Sequence, residues 1–109
     1  MQILELVTTV GSEQEAHILA ERAVVEKLAA CVQIEGPVTS VYRWKGKIES
    51  SREYRLVFKS PSESKSRLVD WLKTNHPYEL PQVIVRHVET SLEYGAWVGP
   101  ETESESPSD

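Results

Sequence analysis

The sequence predicts an α+β fold in which strands and helices follow one another in the order β-α-β-β-α-β. Apolar residues alternate at strand spacing in four segments and recur at helical spacing in two others. Turn-forming residues separate these segments. This order is the split βαβ pattern of ferredoxin-like sandwiches. With 109 residues and 39% hydrophobic content, the chain has the size of one such domain.

The first part of the pattern is a strand at about residues 2–9, followed by a helix that begins after Ser12. Ser12 and Glu15 have the spacing of a capping box, in which each side chain binds the other residue's backbone N–H. The helix should bury one apolar stripe against the sheet. The members of this stripe are Ala16, Leu19, Ala20, Ala23, Val24 and Leu28.

A long strand at 31–44 and a returning strand at about 48–59 form the central hairpin. Gly36-Pro37 interrupts the first strand, and the chain turns at 45–47. At ~3.3 Å per residue the first strand would be ~46 Å long, whereas a compact domain of this length has a radius of gyration of ~13 Å. The hairpin of residues 38–54 should therefore extend beyond its own sheet.

The last part of the pattern is a helix, a strand and a short terminal helix. Ser60, Pro61 and Glu63 have the spacing of a helix start. Pro77 should end this helix, because proline disfavours helical geometry at the residue before it. Further predicted features are a buried face of Leu68, Trp71 and Leu72, a strand at 82–88, and a short C-terminal helix capped by Thr90 and Glu93 that carries Tyr94 and Trp97.

The charge of the chain lies mainly in its last ten residues. The formal net charge is −5, of which the four acidic residues in 100–109 contribute −4, so that residues 1–99 carry −1. This near-neutral part argues against a nucleic-acid partner. Residues 100–109 have no apolar side chain that would offset the entropy cost of ordering. We therefore expect one domain over 1–99 and an acidic disordered tail over 100–109.

Other features predict a cytoplasmic protein that does not interact with membranes. The apolar runs are far shorter than the ~20 residues of a spanning helix, and the first ten residues lack a basic flank and a cleavable apolar segment. Cys31 is the only cysteine. It excludes an internal disulfide and agrees with a reducing compartment.

Three short stretches at the joints between elements indicate a family. They are AACV at 29–32, WKGKIE at 44–49 and HPYELP at 76–81. With Tyr42, Lys59, Tyr94 and Trp97, they resemble the CutA divalent-cation-tolerance family across nearly all of residues 2–98. The resemblance implies a ferredoxin-like homotrimer whose hairpins interlock, similar in architecture to PII-type signalling proteins. It also implies a loose association with copper and other divalent cations.

His76 and Cys31 are the candidate metal ligands. A tight transition-metal site usually needs three or four convergent ligands. Where some metal-binding family members have a cysteine, this chain has Val7 and Thr8, and where they have paired histidines it has Asn75 and His76. A lone cysteine at the start of a buried strand is usually an inert core residue, and a histidine at a helix end is also favoured by the helix dipole. We expect a divalent metal, such as copper, to bind weakly and mainly at His76, and no cofactor to be required.

Lys59, Tyr78, Glu79 and Trp44 are the candidate residues for binding a small anionic ligand. Lys59 precedes a predicted helix start, where free backbone N–H groups favour an anion. An ion pair with Glu79 or with an acid of a neighbouring subunit is the alternative for this lysine. Trp44 is a candidate for a ligand wall or for interface packing.

Tyr42, Trp44 and Trp97 are the expected residues of an oligomer interface. An overhanging hairpin exposes unpaired backbone edges and aromatic surface, which favour pairing with another copy of the chain. The other charged hairpin residues are expected to be solvated and paired across the strands, and His17 and His87 to be ordinary surface or interface residues. The hairpin residues in this group are Lys45, Lys47, Glu49, Arg52, Glu53 and Arg55.

The sequence does not predict an enzyme. It contains no GxSxG, HExxH, GxxxxGK or GxGxxG signature, and an apolar strand would disfavour the thiolate of Cys31. We expect a trimer that binds a divalent cation weakly or a small anionic ligand at clefts between subunits. The alternative is a structural or signalling scaffold trimer that docks a protein partner and has no physiological metal role.

Overall fold

The computed structural model describes residues 1–102 and shows a four-stranded antiparallel sheet with the order β2-β3-β1-β4. The predicted ferredoxin-like α+β fold is confirmed. Within the described residues, no helix combines the length and the apolar character needed to cross a membrane. The strands are β1 (Gln2–Val10), β2 (Cys31–Trp44), β3 (Lys47–Ser60) and β4 (Ile84–Glu89), and the helices are α1 (Glu13–Val25), α2 (Lys65–Asn75) and α3 (Leu92–Glu101).

The core lies between the sheet and the helices α1 and α2. Alternate residues of β1 and β3 face these helices and are fully buried, among them Leu4, Leu6, Leu56 and Phe58. Burying one such side chain contributes roughly 1.5–3 kcal/mol. The apolar residues predicted to line the buried side of α1 pack in this core, except for Val24, which is 42% exposed. Helix α3 contacts β1 and β3, and its Tyr94 interacts with Cys31 and Lys59. Because strand residues alternate between the two faces of the sheet, Lys59 points away from the face of Phe58, which packs on α1 and α2. Helix α3 therefore lies on the opposite face of the sheet.

The predicted caps of the first two helices had different outcomes. Ser12 caps α1, because its Oγ accepts a hydrogen bond from the Glu15 backbone N at 3.1 Å. The capping box is incomplete, since the Glu15 carboxylate accepts from the Ser12 hydroxyl instead of the backbone. The prediction that Ser60 caps the second helix was wrong. It is fully buried, and its hydroxyl donates to the Leu28 carbonyl at 2.6 Å. A short 3₁₀ turn at Ser62–Ser64 precedes α2 instead.

The residue that caps α3 lies one position after the predicted residue, Thr90. Ser91 is the cap, and its Oγ accepts from the Tyr94 N at 3.2 Å. The Thr90 hydroxyl donates to the Met1 carbonyl at 3.3 Å. Thr90 therefore holds the N-terminus beside α3 instead of starting the helix.

The C-terminal helix extends beyond the predicted domain end at residue 99. It continues to Glu101, and Thr102 is only 3% exposed. The Thr102 backbone N and hydroxyl both donate to the Gly99 carbonyl, at 3.1 and 3.0 Å. Pro100 and Glu101 therefore belong to the folded part. The rest of the predicted tail, 103–109, lies outside the described residues.

The hairpin extends beyond the sheet, as the strand lengths predicted. Strand β1 pairs with β3 only from Tyr54 to Ser60, whereas β2 pairs with β3 as far as the turn, where Trp44 is opposite Lys47. Residues 38–53 therefore pair only with one another. The longest dimension of the molecule is 52 Å, against 30 and 22 Å for the others.

A β-bulge in β2 marks the point where the overhang begins. Glu35 is opposite Arg55, but Val38 is opposite Glu53, so β2 contains one extra residue here. Gly36 has a φ of +143°, and a Cβ at this position would lie 3.0 Å from Tyr54 Cδ2 and 3.1 Å from the Glu53 carbonyl oxygen. Because a side chain fits neither the backbone conformation nor the space, the bulge requires glycine.

Candidate functional site

The loop after α2 packs against the end of β1 and positions His76. The His76 backbone N donates to the Leu72 carbonyl at 2.9 Å, and its extended backbone (φ −73°, ψ 138°) ends the helix before Pro77, as predicted. The side chain points into the protein, and the residue is only 9% exposed. The candidate ligand is thus a buried residue of the loop.

Both ring nitrogens of His76 take part in hydrogen bonds within the chain. Nδ1 accepts from the Tyr78 backbone N at 3.0 Å, so the proton of the neutral ring is on Nε2. Nε2 lies 2.9 Å from the Thr9 carbonyl oxygen and 3.0 Å from Thr8 Oγ1. A metal ion would have to displace one of these interactions before it could bind the ring.

Burial lowers the pKa of His76 below its ordinary value of 6.5, although the Thr9 carbonyl and the charges of Glu15 and Glu53 act in the opposite direction. The geometry explains why the neutral ring is preferred. A proton on Nδ1 would point at the Tyr78 N–H, so two donors would face each other. Protonation of His76 would therefore disrupt the turn that connects it to Tyr78.

Tyr78 connects this loop to the base of the overhanging hairpin. Its hydroxyl donates to Glu53 Oε2 at 2.7 Å, and its ring lies against that of His76 with the centroids 4.9 Å apart. The phenol passes Gly11, where a Cβ would lie 3.5 Å from the hydroxyl oxygen. Burial raises the pKa of Tyr78 far above its ordinary value of 10, and the Glu53 carboxylate raises it further. The phenol therefore remains a hydrogen-bond donor.

Glu53 is a site residue that the sequence analysis assigned to a solvated surface. It is only 7% exposed, and its carboxylate accepts the hydrogen bond from Tyr78. The expectation of cross-strand pairs is correct for its neighbour Arg55, whose Nη1 lies 3.2 Å from Glu35 Oε1. The hairpin thus has a buried carboxylate at its base and charged pairs at its surface.

Lys59 belongs to a second polar cluster, in a row across the sheet. Its Nζ is 3.2 Å from Glu5 Oε2, and Arg86 Nε donates to Glu5 Oε1 at 2.8 Å. Burial raises the pKa of Glu5, but the hydrogen bonds and charges of Lys59 and Arg86 outweigh it and hold this pKa below its ordinary value of 4.5. The suggested pairing of Lys59 with Glu79 is wrong, because its partner is Glu5. Glu79 itself is exposed.

Cys31 lies at the end of this row and not beside His76. It is half-buried, and it is opposite Lys59 in the strand register. Burial raises the pKa of Tyr94, and the interaction of its hydroxyl with Cys31 raises it further. Within residues 1–102, no three His, Cys, Asp or Glu side chains converge on a point where they would hold a metal. One subunit therefore does not combine the two predicted metal ligands.

The predicted interface aromatics are exposed in the single chain. Tyr42 is 43% exposed, Trp44 36% and Trp97 45%. Lys45 Nζ lies 5.6 Å from the centroid of the Trp44 ring, and the Tyr94 and Trp97 rings are tilted against each other at 5.7 Å. Their exposure leaves them available for the predicted contacts between subunits, and these contacts stay a prediction.

Comparison with known proteins connects this architecture to a family. The sequence model described as CutA1 divalent ion tolerance protein matches residues 4–101. This chain belongs to the CutA1 family. The divalent-cation tolerance protein CutA of Yersinia pestis is 37% identical over 91 residues, which cover 83% of this chain and 76% of that protein. Human protein CutA is 40% identical over 101 residues, and the matched region spans 92% of this chain but only 56% of the human protein.

Solved CutA structures confirm the fold. CutA from Synechococcus elongatus superposes with a TM-score of 0.86 at 38% identity, covering 94% of this chain and 91% of that one. A second structure of the Synechococcus protein is described as complexed with a Bis-Tris molecule. The family assignment thus agrees in sequence and in structure, and the Yersinia relative is named a divalent-cation tolerance protein.

Proposed function

We propose that this CutA-family chain acts without catalysis as a cytoplasmic homotrimer in divalent-cation tolerance, and that it binds a divalent cation such as copper weakly, or a small anionic ligand, at clefts between subunits. The overhang of residues 38–53 is the observation that carries the proposal. Two strands without a third are marginally stable in water. A second copy of the chain would supply the missing cover.

The position of the His76 loop supports a site beside such an interface. Tyr78 holds this loop to Glu53, the β3 residue of the overhang that lies next to the sheet. A neighbouring subunit that packs on the hairpin would therefore lie next to the loop. Residues from two chains would meet there, which offers a way to complete a ligand set that one chain lacks.

The hydrogen bonds of His76 support the proposal that metal binding is weak. Imidazole nitrogen is a suitable ligand for copper(II), but coordination at Nδ1 would break the bond from the Tyr78 N–H. Metal affinity would be reduced by the free energy of that bond. The scaffold alternative is favoured by the lack of a group of three metal-binding side chains within residues 1–102.

The oligomer is tested by light scattering and native mass spectrometry. We expect three chains, and Trp44→Ala should weaken the assembly, because a half-exposed aromatic side chain at the tip is a typical interface anchor. Val25→Ala is the matched control, since Val25 is 79% exposed and lies in α1, outside both the hairpin and the His76 loop. A compact monomer in the wild type would refute the proposed architecture.

Metal binding is tested by calorimetric titration of copper(II) into the wild type and His76→Gln. Glutamine keeps one donor and one acceptor but removes the imidazole ligand. His87→Ala controls for surface histidines. Lower affinity in His76→Gln alone would support the predicted site, whereas equal affinity in all three proteins would exclude His76. No heat in any protein would favour the scaffold trimer.

A further inference from the structure

The first turns of α1 carry a histidine and a carboxylate in a chelating arrangement. His17 Nε2 lies 3.8 Å from Glu13 Oε1, and the two side chains are 63% and 66% exposed. Residues four apart project from the same side of a helix. We propose that Glu13 and His17 form a contact for a divalent first-row transition-metal ion, separate from the His76 loop. The contact can exist whether or not the protein acts in cation tolerance, and only its physiological meaning rests on that proposed function.

The distance between the two donor atoms suits such an ion. Imidazole nitrogen and carboxylate oxygen bind zinc at ~2.0–2.2 Å. Two donors at this length are about 3.0 Å apart in square-planar and about 3.4 Å apart in tetrahedral geometry. Small rotations of exposed side chains close the difference from 3.8 Å, and no part of the core needs to move.

The other two histidines are less suited to binding a cation. Both ring nitrogens of His76 are bonded within the chain. His87 Nδ1 lies 3.2 Å from the Ser62 hydroxyl. In the part of the chain that the structure describes, His17 is the histidine that has a carboxylate oxygen within 4 Å.

A recess beside the pair gives a bound ion room for its water ligands. Its volume is about 260 Å³, and it is lined by Glu13, His17, Ile34, Gly36, Pro37 and Tyr54. One water molecule takes up ~30 Å³ in the liquid, so several fit. The recess lies at the bulge that requires Gly36.

The charge around the pair favours a cation. Within α1, three glutamates stand against one arginine, which gives a formal charge of −2 without the histidine. The helix dipole acts in the opposite direction, but it is weak beyond the first turn, and His17 lies in the second. Imidazole with carboxylate selects borderline ions such as copper(II) and zinc(II) over calcium and magnesium. Two protein donors imply weak, exchangeable binding.

The contact is tested with copper(II) chloride and the full-length protein in its native assembly. Paramagnetic broadening in NMR spectra should be strongest for residues 13–17. Calorimetry should show affinity reduced about tenfold or more in His17→Ala, because imidazole is a well-suited donor for this ion, and a smaller reduction in Glu13→Gln, which keeps the imidazole but loses the carboxylate. His87→Ala should bind like the wild type. Circular dichroism should show unchanged folding, since the substituted side chains are exposed.

The contact is overturned if His17→Ala binds copper(II) as tightly as the wild type. It is equally overturned if broadening is confined to residues 76–78 or absent. The proposed tolerance role is tested by a different measurement, the copper tolerance of cells that lack the protein. Broadening at 13–17 in a protein whose deletion leaves cellular copper tolerance unchanged would support the contact and refute the role.

Discussion

The hydrogen bond between Tyr78 and Glu53 should stabilise the fold measurably, and Tyr78→Phe removes it while keeping the ring. A hydrogen bond to a charged group is worth ~1.5–3 kcal/mol. Glu53 is only 7% exposed, so water cannot fully replace the phenol, whereas the partial exposure of Tyr78 admits some water. We therefore expect a loss of about 2 kcal/mol in the free energy of unfolding.

Urea unfolding at one fixed protein concentration measures this loss, because assembly makes stability depend on concentration. Tyr54→Phe is the matched control. Tyr54 packs against the core, and in the part of the chain that the structure describes its hydroxyl has no hydrogen-bond partner, so the change should stay within ~0.5 kcal/mol. In a Glu53→Gln background, Tyr78→Phe should cost only ~0.5–1.5 kcal/mol, the value of a neutral hydrogen bond. Equal losses for Tyr78→Phe and Tyr54→Phe in the wild type would refute the reasoning.

Three other predictions concern pH, the C-terminus and the sheet. Because the pKa of His76 is lowered in the folded chain, His76 of the unfolded chain takes up a proton at a higher pH. The contribution of the neutral His76 ring to the unfolding free energy is therefore complete above pH 6.5, and it is lost as the pH falls through the pKa of the folded chain. Urea unfolding across pH should show this loss, and His76→Gln should reduce it. A chain ending after Thr102 should match the full chain in thermal unfolding, whereas one ending after Gly99 should lose ~1 kcal/mol with the Thr102 hydrogen bonds; equal stability of the two truncated chains would contradict this. Glu5→Gln should lower the unfolding free energy by ~1–3 kcal/mol, because it leaves the mostly buried Lys59 and the exposed Arg86 without their charged partner; an unchanged urea midpoint would count against that cluster.

The fold was predictable because periodicity and turn residues act over short distances along the chain. Ser12 caps its helix as predicted, since its partner is three residues away. Ser60 has the same local signature, but the Leu28 carbonyl, 32 residues away, takes its hydroxyl. Thr90 likewise binds the Met1 carbonyl. Tertiary partners changed the caps and left the order of elements intact.

The site was predictable only in part, because its contacts join distant segments. HPYELP indicated a functional loop, but no local pattern shows that His76 reaches Thr8, 68 residues away. Glu53 resembled its charged neighbours, but it is buried and accepts a hydrogen bond from Tyr78, 25 residues away. Glu5 did carry a signal, since it is the one charged residue in the apolar run ILELV. A charge in such a run needs a partner, so this reasoning predicts a basic residue on a neighbouring strand, and the strand register identifies Lys59 and Arg86.

The bulge at Gly36-Pro37 allows β2 to carry one more residue than β3 without turning the hairpin over. Before it, Cys31 and Glu35 share the face of Lys59, and beyond it the extra residue transfers that face to Tyr42 and Trp44. Successive strand residues point to opposite sides, and partners across the ladder share a side. Deleting one of the two bulge residues would restore a regular ladder in which Val38 remains opposite Glu53, so both aromatic rings would keep their side. Deleting both would leave β2 one residue short, and β3 would then need a bulge of its own. Relatives of this chain that carry another residue in place of Gly36 should therefore be one residue shorter here wherever the same aromatic face is used.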